Sequence, residues 1–219
     1  MNLKEYQNIL NSCEKEKINL IAVSKTKPIE DIQVLYKESQ RIFGENKVQE
    51  LAQKQVKLPK DIEWHFIGHL QKNKVKYIAP FVALIHAVDS LSLLKEINKR
   101  ARQNNRTIKV LIQFHIAKEE SKFGLKENDI KNFFSEINTY KNVEIIGVMG
   151  MATYTEDKTQ IRQEFQFLTT IFNKLKTSYF QEEKSFKEIS MGMSGDYKIA
   201  IDCGSTMIRV GSLIFGNSQ

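Results

Sequence analysis

The sequence predicts a single (β/α)8 barrel, in which eight parallel strands alternate with helices and close into a ring. Eight short β-branched runs alternate with longer segments that show the apolar spacing of amphipathic helices. The chain has 219 residues, 41% of them hydrophobic, which suits one such domain over positions 1–219. An open doubly wound sheet is the alternative, but the usual nucleotide-binding motifs GxGxxG and GxxxxGK[ST] do not occur in the sequence.

The predicted strands are the runs in which β-branched and aromatic residues cluster. They span positions 18–23, 41–43, 63–67, 83–88, 108–115, 143–149, 186–190 and 207–210. No internal repeat or low-complexity tract interrupts them, and only three prolines and ten glycines occur, so we expect no long linker. The order of elements therefore indicates one domain.

The segments between the strands are predicted to be helical. Apolar residues share one helical face in three sets, which are Leu3, Tyr6, Ile9 and Cys13; Leu91, Leu94, Ile97 and Ala101; and Ile161, Phe165, Leu168, Phe172 and Leu175. The stretches 89–90 and 155–157 suit helix starts, and Pro28 suits the first turn of a helix.

Composition excludes several classes of protein. The net charge of +7 arises from lysines that are mixed with glutamates, without the basic and aromatic patches of nucleic-acid-binding modules, so we expect no nucleic-acid partner. No signal peptide and no apolar run of 18 residues is present, which argues against a membrane association. Two cysteines without a CxxC spacing read as reduced thiols, so we expect a cytoplasmic protein.

Polar residues follow most of the predicted strands, where the parallel strands of a barrel end at one mouth. Lys25 follows the first strand within IAVSKTKP (21–28), although an ammonium is costly to bury without a partner. The seventh and eighth strands run into MGMSGD (191–196) and RVGS (209–212), whose glycines let backbone approach an anion. The sequence therefore combines a strand-end lysine with two candidate phosphate-binding turns.

This combination suggests a ligand that carries both an aldehyde and a phosphate. A lysine in a barrel mouth forms Schiff bases with carbonyl compounds, and pyridoxal 5′-phosphate (PLP) has both groups. Lys27 would supply a neighbouring cation that tunes Lys25 or receives the cofactor. A cofactor-free Schiff-base aldolase acting on a phosphorylated sugar is an alternative from the same residues.

Longer motifs resemble a known family. VSKTKP, FGENKVQE, WHFIGHLQKNK, EESKFG, SMGMSGD and GSTMIRVGSLIFG occur in this order between positions 22 and 216, and they look like those of the PLP homeostasis protein family. The resemblance implies a barrel similar to the N-terminal domain of alanine racemase, which is the barrel of fold type III PLP enzymes without their C-terminal β-domain. His115 and Lys198 depart from the family, which usually has an asparagine and an acidic residue there.

The resemblance also implies roles for individual residues. Lys25 would hold PLP as an aldimine, and Arg209 would face the pyridine nitrogen, where a permanently charged guanidinium keeps that nitrogen unprotonated. The remaining expected cofactor contacts are Asn46, His65, Met193, Ser194, Gly211 and Ser212. The residues expected to take part in loading or release of PLP are Lys27 and Lys122. No metal site is expected.

The choice between an enzyme and a carrier rests on one comparison. The second catalytic group of alanine racemase comes from a separate β-domain of the partner subunit, whereas this sequence ends directly after the eighth predicted strand and a short tail. We therefore expect a monomer that holds PLP and buffers it, or delivers it transiently to PLP-dependent apoenzymes. A PLP-dependent amino-acid racemase is the alternative, with His115 or Lys122 as its base.

Overall fold

Eight parallel strands form a closed barrel in the computed structural model, which describes residues 1–119 and 122–216. Each strand pairs with the next along the chain, and the last pairs with the first. The strands are β1 Asn19–Val23, β2 Ile42–Glu45, β3 Glu63–Phe66, β4 Leu84–Val88, β5 Ile108–Gln113, β6 Val143–Met149, β7 Glu188–Ser190 and β8 Met207–Val210. The predicted (β/α)8 barrel is confirmed.

A helix follows every strand in the described ranges, and one more helix precedes the first strand. The helices are α1 Leu3–Lys15, α2 Ile29–Lys37, α3 Val48–Lys57, α4 Val75–Ile78, α5 Leu91–Gln103, α6 Ile130–Phe134, α7 Lys158–Ser178, α8 Tyr197–Asp202 and α9 Ser212–Phe215. Two predicted helix starts are confirmed, because Ser90 and Asp157 accept backbone N–H groups at the N-caps of α5 and α7. Pro28 is the N-cap of α2, one position before the first turn where the sequence placed it.

The fifth strand is shorter than predicted. It ends at Gln113, because Phe114 makes only an isolated bridge to Leu125, and the N–H of His115 donates to the carbonyl oxygen of Leu125. The loop after β5 thus folds back against the strand end and removes His115 from the barrel. The seventh strand begins at Glu188, two residues later than expected.

Two apolar layers stabilise the barrel. One layer lies inside the ring of strands, and its residues are Ile21, Leu84, Ala87, Leu111, Ile146, Met149 and Met207. The opposite face of each strand packs against the helices in a larger core that includes Phe43, Trp64 and Phe165. Because side chains alternate between the two faces of a regular strand, an inward residue indicates which later residues of the same strand face the mouth of the barrel.

Gly147 determines how β6 fits against β7. Its φ is 158°, and a Cβ there would lie 1.8 Å from the carbonyl oxygen of Glu188. The register of β6 against β5 shifts just at this point, between Val110 and Leu111. A side chain is excluded at this position because the neighbouring backbone occupies its space.

The described residues contain no helix that is both long enough and apolar enough to cross a membrane. Cys13 on α1 is buried, and burial raises the pKa of its thiol to about 11. Cys203 is half-buried. Neither cysteine is in a disulfide.

Candidate functional site

Lys25 lies at the carboxyl end of β1, in a turn between the strand and α2. Ile21 points into the barrel, and strand alternation places Val23 and then Lys25 on the same inward face. The Lys25 side chain is exposed, and its Nζ makes no hydrogen bond or ion pair with any described residue. Lys25 therefore presents an accessible amine at the mouth of the barrel.

The turn after β8 lies directly against the end of β1. A Cβ on Gly211 would stand 3.0 Å from the carbonyl oxygen of Val23 and 3.2 Å from its Cβ. The N–H of Gly211 points at the Ser194 hydroxyl oxygen, 3.4 Å away, in the turn after β7. These contacts bring both glycine-containing turns next to the strand that carries Lys25.

Backbone donors are available in these two turns. The N–H groups of Ser194, Gly195 and Ser212 have no hydrogen-bond partner among the described residues. A Cβ built on Gly195 would meet nothing within 4 Å, so the space beside it is open. Uncommitted N–H groups next to open space suit an anion such as a phosphate.

Met193 is the exception in the turn after β7. Its N–H donates to the Asp196 carboxylate at 2.6 Å, so it is committed within the turn. Burial raises the pKa of Asp196, while the Met193 N–H and the charges of Arg209 and Lys122 act in the opposite direction. The Asp196 carboxylate thus shapes this turn and attracts the two cations around it.

A chain of four polar side chains crosses the buried interior beneath the mouth. Arg209 Nη1 donates to the Ser190 hydroxyl at 2.6 Å, and Ser190 Oγ lies 2.9 Å from His86 Nδ1. His86 Nε2 lies 3.1 Å from His65 Nδ1. If the Ser190 hydroxyl donates to His86 Nδ1, then His86 Nε2–H donates to His65 Nδ1, and each hydrogen bond of the chain has one donor and one acceptor. We assign the tautomers on this basis.

Burial determines the charges in this chain. It lowers the pKa of His65 to about 3 and that of His86 well below its usual value, so both imidazoles are neutral. Burial also lowers the pKa of Arg209, to about 10, which leaves the guanidinium charged at neutral pH. A second bond, from Arg209 Nη2 to the carbonyl oxygen of Gly150 at 3.2 Å, fixes its orientation.

Asn46 follows β2 at the same mouth, and its Oδ1 is a buried acceptor without a hydrogen-bond partner among the described residues. Gly68 packs against it so closely that a Cβ there would lie 2.4 Å from the Asn46 carbonyl oxygen. A buried acceptor is costly to leave unpaired. Asn46 Oδ1 therefore remains available to an additional hydrogen-bond donor.

Other expected site residues are engaged in protein contacts. Lys122 Nζ donates to the carbonyl oxygen of Ala152 and pairs with Glu119 at 3.0 Å. Lys27 Nζ donates to the carbonyl oxygen of Gly216 at 3.0 Å, at the end of α9. His115, whose position departs from the family pattern, has its Nε2 2.9 Å from the Glu119 carbonyl oxygen, and Lys198 is exposed.

Some site residues escaped the sequence analysis. His86 and Ser190 link His65 to Arg209, yet neither was named as a candidate. His86 is a polar residue within the apolar run ALIHAV. Lys25 attracted attention for a similar reason, as a charged residue directly after an apolar strand. Lys54 was also missed, because nothing in its local sequence shows that it reaches β1 from α3.

No group of three or more histidines, cysteines or acidic residues converges as a metal site within 1–119 and 122–216. The ring of His65 is hydrogen-bonded to that of His86. His69 Nδ1 lies 3.4 Å from Asp89 Oδ2, and the His69 ring stacks on Phe123.

Comparison with known proteins agrees with this geometry. A family model described as the alanine racemase N-terminal domain matches residues 2–219. The chain is 39% identical over 201 residues to the pyridoxal phosphate homeostasis protein of Aquifex aeolicus (strain VF5), covering 91% of this chain and 87% of the relative. The structure of PipY from Synechococcus elongatus PCC7942 with PLP bound is similar, with a TM-score of 0.85 and 33% identity over 94% of this chain and 98% of PipY.

A more distant similarity concerns the fold alone. An alanine racemase of Clostridium difficile 630, complexed with cycloserine, has a TM-score of 0.73 and 16% identity. The match covers 99% of this chain and 58% of the racemase.

Proposed function

The chain belongs to the family of pyridoxal phosphate homeostasis proteins, on the barrel of the alanine racemase N-terminal domain, and we propose that Lys25 is the residue that holds PLP. As a member of this family, it binds PLP and acts in PLP homeostasis. The observation that supports the Lys25 assignment is the close approach of Gly211 to Val23, because the glycine-containing turn after β8 then lies beside the strand that precedes Lys25.

The residues present fit PLP on three independent grounds. The unpaired Asn46 Oδ1 offers an acceptor, which suits the ring hydroxyl of the cofactor. The uncommitted N–H groups of Ser194, Gly195 and Ser212 suit its phosphate. The accessible Lys25 amine suits its aldehyde. When bound, PLP supplies an aldehyde that bonds covalently to an amine and a ring that absorbs visible light.

The chain's own residues hold and orient this cofactor. The turns after β7 and β8 bind the phosphate through backbone N–H groups and the hydroxyls of Ser194 and Ser212. Arg209 is held by Ser190 and Gly150, and its remaining N–H donors would be available to the ring nitrogen of the cofactor. The neutral His65 closes the floor of the site, and its tautomer is set by His86. The N–H of Met193 would not be available to the phosphate, because it donates to the Asp196 carboxylate and so helps to hold the shape of the turn.

A carrier is a better proposal than a racemase. A racemase needs a free base opposite Lys25, and the two candidates are both engaged, His115 with the Glu119 carbonyl and Lys122 with Ala152 and Glu119. We propose instead that Lys27 and Lys122, both near the turns that hold the phosphate, take part in loading and release. Transient delivery to apoenzymes, a monomeric state and a cytoplasmic location complete this proposal.

The test is the visible absorption spectrum of the protein incubated with PLP. We expect a yellow band that disappears in Lys25→Ala and persists in Lys27→Ala, which serves as the matched control. A band that survives in Lys25→Ala would remove Lys25 as the attachment point. Exchange of the α-hydrogen of amino acids in deuterated water, at enzyme-like rates and dependent on Lys25, would favour the racemase.

A further inference from the structure

Lys25 is exposed and has no ion-pair or hydrogen-bond partner among the described residues, yet the backbone on either side of it is held by a buried network. The network consists of Glu45 at the end of β2, Glu50 and Lys54 on α3, and Ser24 before Lys25. It lies between the ends of the first two strands and α3, and it reaches the Lys25 turn through Ser24 and the N–H of Thr26.

Residue 24, before Lys25, is held through its backbone and its side chain. Lys54 Nζ donates to the carbonyl oxygen of Ser24 at 2.7 Å, and the Ser24 hydroxyl donates to Glu45 Oε1 at 2.6 Å. Lys54 also donates to Glu45 Oε1 at 2.7 Å, and these side chains are 7% and 0% exposed. Burial raises the pKa of Glu45, the hydrogen bonds from Lys54 and Ser24 act against this effect, and Glu45 Oε2 has no partner among the described residues.

Residue 26, after Lys25, is held by the same network. Its N–H donates to Glu50 Oε1 at 2.7 Å, and this oxygen also accepts from Lys54 Nζ at 2.7 Å. Thr26 has a φ of 62°, in the left-handed region that a β-branched residue rarely adopts. Such a conformation persists only where surrounding contacts impose it, and the Glu50 carboxylate is one of these contacts.

We propose that Glu45, Glu50 and Lys54 are positioning residues that hold the Lys25 turn so that the amine faces the cofactor aldehyde. One network fixes Ser24 and Thr26, so the path of Lys25 between them is fixed before the cofactor arrives. The charge on Lys54 is balanced by the carboxylates of Glu45 and Glu50. This inference rests on the proposed role of Lys25.

The test compares two ligands in the full-length protein. Pyridoxine 5′-phosphate has an alcohol in place of the aldehyde, so it can use the phosphate turns and the ring contacts of PLP but not the Lys25 amine. In Glu50→Ala we expect the affinity for PLP to fall about tenfold and the affinity for pyridoxine 5′-phosphate to change less than about twofold. Gln49→Ala, an exposed neighbour on α3, should change neither affinity.

A second variant covers the case in which Glu50→Ala folds poorly. Lys54→Met combined with Glu45→Gln removes the two most deeply buried charges together and leaves only Glu50, which is partly exposed and still accepts from the N–H of Thr26. This variant should also lose affinity for PLP and not for pyridoxine 5′-phosphate. In addition, the pH at which its visible band titrates should shift, and a purely structural role of the network would not produce such a shift.

The outcomes separate the two ideas. Unchanged PLP affinity in both variants, or equal losses for both ligands, would overturn the positioning role while leaving Lys25 as the attachment point. If wild-type protein formed no Lys25-dependent band, the proposed function would fail, and the positioning role with it.

Discussion

His86 Nε2 lies 3.1 Å from His65 Nδ1 in the closed interior of the barrel, with the two rings tilted by 48°. The pair links two strands beneath the mouth, and its other end reaches Arg209 through Ser190. Because each imidazole fills a hydrogen-bonding role that needs the neutral form, the interior is adapted to an uncharged histidine pair.

This pair predicts a loss of stability in acid. Burial lowers the pKa of His65 to about 3 and that of His86 in the same direction, whereas unfolded histidines titrate near 6.5. Below pH 6.5 the unfolded chain therefore binds protons that the folded protein excludes. The stabilising contribution is complete above pH 6.5 and declines as pH falls toward 3, by about 1.4 kcal/mol per pH unit for each histidine.

Urea unfolding of the cofactor-free protein at pH 7.0, 5.5 and 4.5 measures this decline. In the double variant His65→Gln with His86→Gln, the free energy of unfolding should change less with pH than in wild type. The difference between the two slopes below pH 6.5 should correspond to the uptake of nearly two protons on unfolding. Asn73→Gln, a substitution of an exposed and non-titrating residue, should keep the wild-type slope. Equal slopes in wild type and the double variant would contradict the neutral pair.

Asn46→Ala should weaken PLP binding without destabilising the fold. Asn46 Oδ1 has no hydrogen-bond partner among the described residues, so loss of this oxygen breaks no hydrogen bond within that part of the protein. We expect about a tenfold loss of PLP affinity and a change below about 0.5 kcal/mol in the free energy of unfolding. Titration of the visible band and urea unfolding measure the two quantities. Asn73→Ala is the control, and a loss of stability without a loss of affinity would argue against a ligand role.

Two glycines of the phosphate turns should respond differently to the same added methyl group. A Cβ on Gly211 would press on the carbonyl oxygen and Cβ of Val23, whereas one on Gly195 would enter open space. Gly211→Ala should therefore lower the affinity for pyridoxine 5′-phosphate at least several-fold, because either the turn or the end of β1 must shift. Gly195→Ala retains its N–H and should bind within about threefold of wild type. Equal affinities in the two variants would show that the Gly211 turn does not bind the phosphate.

Lys122→Ala should accelerate the release of PLP while leaving the position of the visible band unchanged. Lys122 joins the loops after β5 and β6 through Ala152 and Glu119, and its charge acts on Asp196 in the phosphate turn. Without it, the half-life of bound PLP should shorten about three- to tenfold, measured by transfer to an excess of an apoenzyme that binds PLP tightly. Lys118→Ala, an exposed lysine of the same loop, is the control, and identical half-lives in the two variants would remove Lys122 from the exchange step.

Much of the architecture was predictable because its signals are local. Strands β6 and β8 have the predicted bounds, and the N-caps Ser90 and Asp157 lie where the sequence placed them. The errors occur where a distant contact decides the outcome. The fifth strand ends early because the loop around Leu125 returns to its end, and no pattern within 108–115 reports that return.

The sequence by itself determined the barrel, the strand-end Lys25 and the two glycine turns, because each depends on residues adjacent in the chain. Only the tertiary structure decided how the Lys25 turn is held, since Lys54 reaches Ser24 across thirty positions of sequence. It also decided that His86 and Ser190 connect His65 to Arg209, since that chain exists only once the barrel has closed. Periodicity is set along one strand or helix, whereas hydrogen-bond partners in a barrel come from different strands, and their distances depend on the packing of all of them.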